Sequence, residues 1–377
     1  MSVPLSLVHP TRAIINLAAF RHNLERVKMC VGQNAKIMAV VKSHAYGHGV
    51  RVISREAVRC GVHYLGVARV DEGLELRNEG IDTPILVFEI APEGLAELAL
   101  ATDIELSVSS LEQAQALRSI AQRLGKSARV HVKVDTGMGR LGFDYSIAPD
   151  FIERVARLPR VELVGVYSHF ATAEEPDQCF AREQLKRFNV VLEILEQRRI
   201  NVPLRHIANS AAIITIPESH FDMVRPGIML YGYGPAKGMA ADAGLKPVMS
   251  LFSRVMFLKK VSAGTSISYG RRYVAERETW IATVPVGYGD GYSRLLSNKA
   301  QVLIRGRRYP VVGTICMDHC MIDVGVETDV KVGDEVTLLG GTGDHWIGAW
   351  EIAETLGTIP YEVTCMVSAR VPRTVMM

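Results

Sequence analysis

Short apolar runs alternate with amphipathic stretches up to about residue 235. The runs that predict strands lie at residues 37–41, 64–67, 85–88, 104–108, 130–134, 163–167, 204–207 and 221–224. Stretches between them, such as 112–124 and 184–197, carry apolar residues three and four positions apart, which is typical of helices that bury one face. Repeated strand–helix units predict a parallel sheet, and eight of them predict a closed, TIM-like (β/α)8 barrel.

The pattern changes beyond about residue 246, where β-rich segments are broken by glycines. These segments lie at residues 252–261, 279–286, 301–304, 311–323 and 335–339, and a short helix is predicted at 350–356. We therefore expect a barrel domain over residues 1–240 and an all-β or mainly β C-terminal domain over residues 241–377. The first segment, about residues 1–17, is expected to be able to pack with the C-terminal domain.

Composition narrows the class of protein. Among the 377 residues, 48% are hydrophobic and 22% are charged, as in an ordinary globular protein. The net charge of +3 is small and the basic clusters are short, which argues against a nucleic-acid partner. No apolar run reaches the length of a membrane span, and the N-terminus lacks the composition of a leader, so we expect a cytoplasmic location. The six cysteines are scattered, and we expect no metal site.

Polar residues follow the predicted strands at the end where barrel enzymes carry their active sites. Lys42 comes directly after the first strand, and the glycine-rich turn 46–49 allows close approach of the backbone to a ligand. Such an amine suits a Schiff base with a phosphorylated carbonyl cofactor, although a surface lysine that closes a strand remains the alternative. Ser210, Gly227 and Ile228 follow strands seven and eight, where barrels usually bind phosphate.

The motifs at these positions resemble those of the alanine racemase family, whose barrel binds pyridoxal 5′-phosphate and is followed by a β domain. The matching segments, in order, are Lys42-x-x-Ala-Tyr46-Gly-His-Gly49, Val134-Asp-Thr-Gly-Met-Gly-Arg140, Ser168-His169-Phe170, Asn209-Ser210, Arg225-Pro-Gly-Ile228, Ser268-Tyr269-Gly270, Pro285-Val-Gly-Tyr288-Gly-Asp-Gly291 and Ile315-Cys-Met317-Asp318. The resemblance covers nearly the whole chain. It implies an isomerase that racemises alanine and supplies D-alanine for cell-wall synthesis.

By this resemblance, Lys42 would hold the cofactor and also act as one of two bases. Tyr269 would be the second base, on the opposite face of the substrate Cα. Racemisation needs such a pair, because a proton must leave one face and arrive on the other. Arg225 would face the pyridine nitrogen, and a guanidinium there leaves that nitrogen unprotonated because it effectively never gives up its own proton.

The resemblance also implies the remaining roles in the site. Arg140 would meet the cofactor phenolate and the substrate carboxylate, and Met317 would contact the substrate. Lys133 is often carbamylated in this family, which would place an anion beside Arg140. His169 would support Arg225 and Tyr269, although a core histidine is the alternative. The phosphate ligands would be Tyr46, Ser210, Gly227, Ile228 and Tyr361, and the other supporting residues would be Asn209, Tyr288 and Asp318.

In the family that the chain resembles, two subunits share each active site. The barrel of one subunit and the C-terminal domain of the other form the site of a two-fold homodimer. Tyr269, Tyr288 and Met317 would then act in the partner's barrel.

The sequence departs from the family pattern in two places. Ser43 and His44 follow the lysine where Ala and then Asn or Asp are more usual, and Thr314 and His319 replace the usual Arg and Gln. None of these positions carries a reactive group, so the departures put in doubt the tuning around the lysine and the subunit contacts.

Two other functions remain open from the sequence. A broader racemase acting on serine, lysine or arginine would share the chemistry, but such enzymes are commonly exported, and bulky residues would crowd the pocket. A non-catalytic pyridoxal phosphate-binding protein would share the lysine barrel, but it predicts a bare barrel without a second domain.

Overall fold

The computed structural model describes residues 9–33, 35–343 and 345–377. The expectation for residues 1–8 lies outside the described residues. The chain divides into two compact units. The barrel unit comprises Phe20–Ala45 and Val50–Lys246, and the β unit comprises Tyr46–Gly49, Pro247–Met377 and the described residues up to Ala19. No described helix is long and apolar enough to cross a membrane.

Eight parallel strands follow one another around the described part of the barrel unit. They are Lys36–Val40, Tyr64–Val67, Ile85–Val87, Glu105–Val108, Ala128–Asp135, Val161–Tyr167, Leu204–His206 and Met223–Val224. The last of these pairs with the first in parallel. Backbone hydrogen bonds from Asp222 N to Arg205 O (3.1 Å) and from Arg225 N to Ala208 O (3.0 Å) join the last two strands. The predicted (β/α)8 barrel is therefore confirmed.

Helices precede, connect and follow these strands. They are Leu17–Val31, Val50–Arg59, Val70–Asn78, Glu93–Ala101, Leu111–Leu124, Ala148–Ala156, Cys179–Gln197, Ser210–Thr215 and Met239–Asp242. The ends of the fifth helix follow from its sequence, since Ser110 and Gln113 form a capping box and Gly125 ends it in the left-handed conformation at φ 67°. The predicted helix 184–197 begins earlier, at Cys179, whose backbone N donates to Asp177 Oδ1 at 2.9 Å.

The β unit contains a ten-stranded sheet within the described residues. Its strands are Arg12–Asn16, Met249–Arg254, Phe257–Val261, Thr279–Val284, Gln301–Ile304, Arg307–Val312, Cys320–Gly325, Glu335–Thr342, His345–Ile347 and Arg373–Met376. Strand Arg12–Asn16 pairs antiparallel with Met249–Arg254 and parallel with Arg373–Met376. Short strands Ser266–Ile267 and Tyr273–Val274 form a separate pair, and two helices, Ala349–Leu356 and Pro360–Met366, follow the sheet. The predicted mainly β C-terminal fold is confirmed.

One predicted β segment, residues 311–323, is divided in the structure. A loop separates strand Arg307–Val312 from strand Cys320–Gly325. Gly313 begins this loop with φ 72°, and a Cβ there would lie 2.7 Å from Ile267 O. The close approach requires glycine and turns the chain away from the sheet, which places Met317 in the loop.

Candidate active site

Lys42 follows the first barrel strand and begins a single left-handed turn, Lys42–Tyr46. Residues 43–45 have φ of 53–55°, a region that costs a non-glycine residue roughly 1–2 kcal/mol. Ala45 N donates a 2.8 Å hydrogen bond to the carbonyl before the lysine, and Ser43 N donates to the carboxylate of Glu72 at 2.5 Å. These contacts hold a strained backbone beside the predicted cofactor lysine, as is common at functional sites.

Lys42 and three other cationic side chains of the barrel unit act on one another. Lys133 is 4% exposed, and burial, followed by the positive charges of Arg140 and Arg225, lowers its pKa to about 7. Asp135 opposes this shift, but its carboxylate already accepts hydrogen bonds from the backbone amides of the next loop at 2.8 and 2.9 Å. Such a concentration of positive charge favours an anionic ligand.

Arg225 is 4% exposed and is held by neutral acceptors. Its Nη1 donates to His206 Nδ1 at 2.8 Å, and its Nη2 donates to Ser168 O at 2.7 Å, Ile207 O at 3.1 Å and His169 Nδ1 at 3.2 Å. Because a guanidinium only donates, both Nδ1 atoms must accept. Burial, followed by the charge of Arg225, holds the pKa of His169 well below its ordinary value, so its imidazole is neutral. The charge of the guanidinium remains available to a ligand.

Sequence reasoning missed a chain of polar groups inside the barrel. His206 Nε2 lies 2.9 Å from His131 Nδ1, and His131 Nε2 lies 2.8 Å from Glu105 Oε2. The ring of Tyr167 stacks on His206 with centroids 4.9 Å apart. A signal was present, because polar residues alternate with valines along one strand and so share one face. Those polar residues are Arg129, His131, Lys133 and Asp135.

Ser210 and Gly227 meet in the loops after the last two barrel strands. Gly227 N donates to Ser210 Oγ at 2.9 Å, so the buried hydroxyl keeps its own proton to donate to an anion. Asn209 fixes the start of the helix, since its side chain accepts from Ala212 N at 3.0 Å. Ile228 follows directly and begins a short 3-10 turn. This part of the predicted phosphate site is assembled from a hydroxyl and bare backbone.

Two predicted phosphate ligands lie in the β unit. The rings of Tyr46 and Tyr361 have centroids 6.0 Å apart. Burial, followed by the charge of Tyr361, raises the pKa of Tyr46 far above its ordinary value, so its phenol stays protonated. A Cβ at Gly47 would lie 2.1 Å from Thr364 O, and Arg373 Nε donates to Gly47 O at 3.0 Å. Only glycine permits this approach, which fixes Tyr46 in place.

Tyr269 lies in the 3-10 turn Tyr269–Arg271 of the β unit, with 70% of its surface exposed. Thr314 Oγ1 donates to Tyr269 O at 2.8 Å, and Ser268 Oγ donates to Thr314 O at 2.5 Å. Ser268 has φ 63° and ψ −174°, a strained conformation for a residue with a side chain. Thr314, one of the departures from the family pattern, therefore holds the backbone of the predicted second base.

The turn of Tyr288 and the loop of Met317 are tied together within the β unit. Arg370 donates from Nε to Asp290 at 2.7 Å and from Nη2 to Asp318 at 2.6 Å. Tyr288 is 43% exposed and Met317 is 53% exposed. Asp318, predicted to support the site, thus links the Met317 loop through Arg370 to the Tyr288 turn.

The two units divide the predicted residues between them. The barrel unit carries Lys42, Lys133, Arg140, His169, Asn209, Ser210, Arg225, Gly227 and Ile228, and the β unit carries Tyr46, Tyr269, Tyr288, Met317, Asp318 and Tyr361. Among the described residues, no group of three or more His, Cys, Asp or Glu could hold a metal ion. The barrel side chains offer an amine, cations and a hydroxyl, which suit an anionic organic ligand.

Comparison with known proteins gives matches over both units. Profiles of the alanine racemase N-terminal and C-terminal domains match residues 15–235 and 248–375. An alanine racemase of Desulforamulus reducens is 48% identical over 373 residues, which are 97% of this chain and 98% of the relative. Alanine racemase 2 of Caldanaerobacter subterraneus is 46% identical over 367 residues, 97% of this chain and 95% of the relative. The solved structure of alanine racemase from Clostridium difficile 630 has a TM-score of 0.93 at 41% identity, covering 97% of this chain and 96% of that one. The chain belongs to the alanine racemase family of isomerases.

Proposed function

We propose that this chain interconverts L- and D-alanine with pyridoxal 5′-phosphate held by Lys42. One observation carries the proposal: Lys42, Arg140 and Arg225 each follow a barrel strand at its carboxyl end, and together with Lys133 they form one interacting group of cations. Active sites of such barrels lie at this end. The family of the chain supports alanine as the substrate.

The barrel residues fit the cofactor. Its phosphate and phenolate are anions, and burial, followed by the positive charges of Arg140 and Arg225, lowers the pKa of Lys133 to about 7. The Ser210 hydroxyl has a proton to donate, and Arg225 is held only by neutral acceptors among the described residues. When bound, the cofactor would supply an electron-withdrawing ring that makes the Cα proton of an attached amino acid much more acidic.

We assign the phosphate ligands to the residues that the sequence predicted. Ser210 would donate its hydroxyl proton, and Gly227 and Ile228 would bring their backbone to the phosphate. Tyr46 and Tyr361 would donate phenol protons. The raised pKa of Tyr46, caused by burial and then by Tyr361, supports this role because a protonated phenol is a donor to an anion.

Two groups on opposite faces of Cα are the simplest means of racemisation. We assign these roles to the amine of Lys42 and the phenol of Tyr269, one taking a proton and the other returning one. Arg140 would pair with the substrate carboxylate through its guanidinium fork. Arg225 would keep its own proton and leave the pyridine nitrogen without one.

We further propose that the active site is completed in a homodimer. Tyr269, Tyr288 and Met317 are 70%, 43% and 53% exposed in a single chain. Large side chains grouped on an exposed surface mark contact sites, and a two-fold dimer would bring them to the partner's barrel, as the family resemblance implies.

The proposed role in the cell is to supply D-alanine for cell-wall synthesis in the cytoplasm. The exposed thiols of Cys30 and Cys179 suit a reducing compartment of this kind.

Chiral chromatography of the products tests the proposed reaction. The cofactor-loaded protein should convert L-alanine or D-alanine to equal amounts of both enantiomers, and it should turn over L-serine, L-lysine and L-arginine far more slowly. Faster racemisation of one of those three would contradict alanine as the substrate. Borohydride reduction and peptide mapping should place a pyridoxyl label on Lys42, and a label on another lysine would contradict its role.

Complementation tests the shared site. Lys42→Ala and Tyr269→Ala homodimers should each be nearly inactive. Refolding the two together forms heterodimers, in which one of the two sites combines an intact Lys42 with an intact Tyr269 and should regain activity. Confirmed heterodimers that stay inactive would refute the shared arrangement.

A further inference from the structure

A hydrogen-bonded chain of charged and polar groups runs through the interior of the barrel. It begins at Arg225, after the carboxyl end of the last strand, and passes through His206 and His131 to Glu105, at the amino end of strand Glu105–Val108. The four residues are between 0% and 4% exposed. Barrel interiors are usually filled by apolar side chains, so this polar chain requires a reason.

The two ends of the chain fix every proton in it. The guanidinium of Arg225 can only donate, so His206 Nδ1 accepts and the proton of a neutral His206 is on Nε2. That proton points at His131 Nδ1, which must accept, so the proton of His131 is on Nε2 and points at Glu105. A doubly protonated His131 would bring two N–H groups face to face. Glu105 Oε2 faces the Nε2–H of His131 and Oε1 accepts from Arg129 Nε at 2.9 Å, so neither oxygen carries a proton. Both imidazoles are therefore neutral, and Glu105 is ionised.

The surroundings of the chain support this arrangement. Burial pushes the pKa of Glu105 upward, but hydrogen bonds from His131 and Arg129, together with the charge of Arg129, outweigh it and lower the pKa. Burial, followed by the charge of Arg225, holds the pKa of His206 well below its ordinary value. Both shifts agree with the proton positions set by geometry.

The barrel is also shaped around the two imidazoles. A Cβ at Gly165 would lie 2.5 Å from His131 Nδ1, so the absence of a side chain there makes room for the ring. The ring of Tyr167 stacks on His206 at an interplanar angle of 2°, and the Tyr167 hydroxyl is fixed by Ser107 Oγ at 2.7 Å. The core of the barrel is therefore packed specifically around these two imidazoles.

We propose that Glu105 and His131 are positioning residues for Arg225. The carboxylate of Glu105 acts through two neutral imidazoles to hold His206 with its unprotonated Nδ1 facing the guanidinium. Arg225 has no carboxylate among its described hydrogen-bond partners. Glu105, at the far end of the hydrogen-bonded chain, is therefore its remote counter-ion.

The effect on the reaction rests on the proposed function, in which Arg225 meets the pyridine nitrogen. Aligned hydrogen bonds polarise one another, so the carboxylate makes His206 Nδ1 a better acceptor. The guanidinium is then held more firmly in the orientation in which it meets the ring nitrogen. Neither Glu105 nor His131 contacts the cofactor in this account.

Nitrogen-15 NMR of histidine-labelled, cofactor-free protein tests the proton positions directly. His131 and His206, assigned by comparison with His131→Gln and His206→Gln, should both be neutral with the proton on Nε2. A proton on Nδ1 of either residue, or a doubly protonated ring, would overturn the proposal. This measurement does not depend on catalysis, so a protein that lacks racemase activity but has these tautomers would refute the proposed function alone.

The variant Glu105→Gln tests transmission along the chain. Its side chain keeps an acceptor and its volume but loses the charge, so the His206 Nε2 proton resonance should move upfield and kcat should fall roughly tenfold with little change in KM. Glu162→Gln is the matched control, because Glu162 pairs with the same Arg129 at 3.5 Å but is 52% exposed and lies outside the chain. Glu162→Gln should change neither the His206 Nε2 proton resonance nor kcat. A Glu105→Gln protein that is less stable but keeps the wild-type His206 resonance and kcat would overturn the proposal. If the variant fails to fold, the tautomers of His131 and His206 in the wild-type protein test the proposal.

Discussion

Replacing Lys133 by methionine should stabilise the cofactor-free chain at neutral and acid pH, and the gain should disappear in alkali. Burial and then the charges of Arg140 and Arg225 lower the pKa of Lys133 from 10.5 to about 7 in the folded state. The unfolded chain therefore binds this proton more tightly than the folded chain. The protonated amine destabilises the fold fully below about pH 7, and the penalty fades as the pH rises toward 10.5.

The size of this penalty follows from the two pKa values. Each factor of ten in proton affinity corresponds to about 1.4 kcal/mol, so the lowering to about 7 corresponds to about 5 kcal/mol. The amine lies 5.1 Å from the centroid of the Tyr167 ring, a contact that returns about 1 kcal/mol. We expect Lys133→Met to gain about 4 kcal/mol at low pH.

Urea unfolding across the window between the two pKa values measures this difference. Wild type, Lys133→Met and the control Lys186→Met, at an exposed helix position, are compared in buffer depleted of carbon dioxide. A difference between wild type and Lys133→Met that does not change with pH would refute the reasoning. Adding bicarbonate should stabilise the wild type alone, since a carbamate on Lys133 would become an anion beside Arg140.

Three further substitutions test other contacts. Gly165→Ala would place a Cβ 2.5 Å from His131 Nδ1, and urea unfolding should show a loss of about 1–3 kcal/mol; an unchanged stability would mean that the ring has room to move. Thr314→Val removes the hydroxyl that holds the backbone of the predicted second base, so kcat should fall roughly fivefold and recover in Thr314→Ser. Arg370→Met leaves the buried carboxylate of Asp290 unpaired, and calorimetry should show a loss of about 3 kcal/mol; Arg370→Lys should keep part of it.

The sequence predicts best what depends on local pattern. The alternation of strands and helices predicts the barrel, and the positions of Lys42 and Arg225 at strand ends follow from it because parallel strands meet at one edge. The left-handed turn at residues 43–45 could not be predicted, since Ser, His and Ala do not favour positive φ without tertiary contacts such as that with Glu72.

A local sequence pattern also cannot predict the polar chain inside the barrel. His131 contacts a histidine 75 positions away and a glutamate 26 positions away, and both contacts depend on closure of the barrel. The alternation of polar residues along strand Ala128–Asp135 shows that they share a face, but not which partners they meet. The division of residues 311–323 into two strands depends likewise on a close approach at Gly313.

Exchange of the alanine Cα hydrogen in deuterium oxide is the most direct test of the central claim, that two bases act on opposite faces. The variant Tyr269→Phe, loaded with cofactor, removes one proposed base and keeps Lys42. We predict that it loses racemisation but still exchanges the Cα hydrogen of one enantiomer, while the other enantiomer keeps its hydrogen. Exchange in both enantiomers, or racemisation at the wild-type rate, would contradict the two-base account.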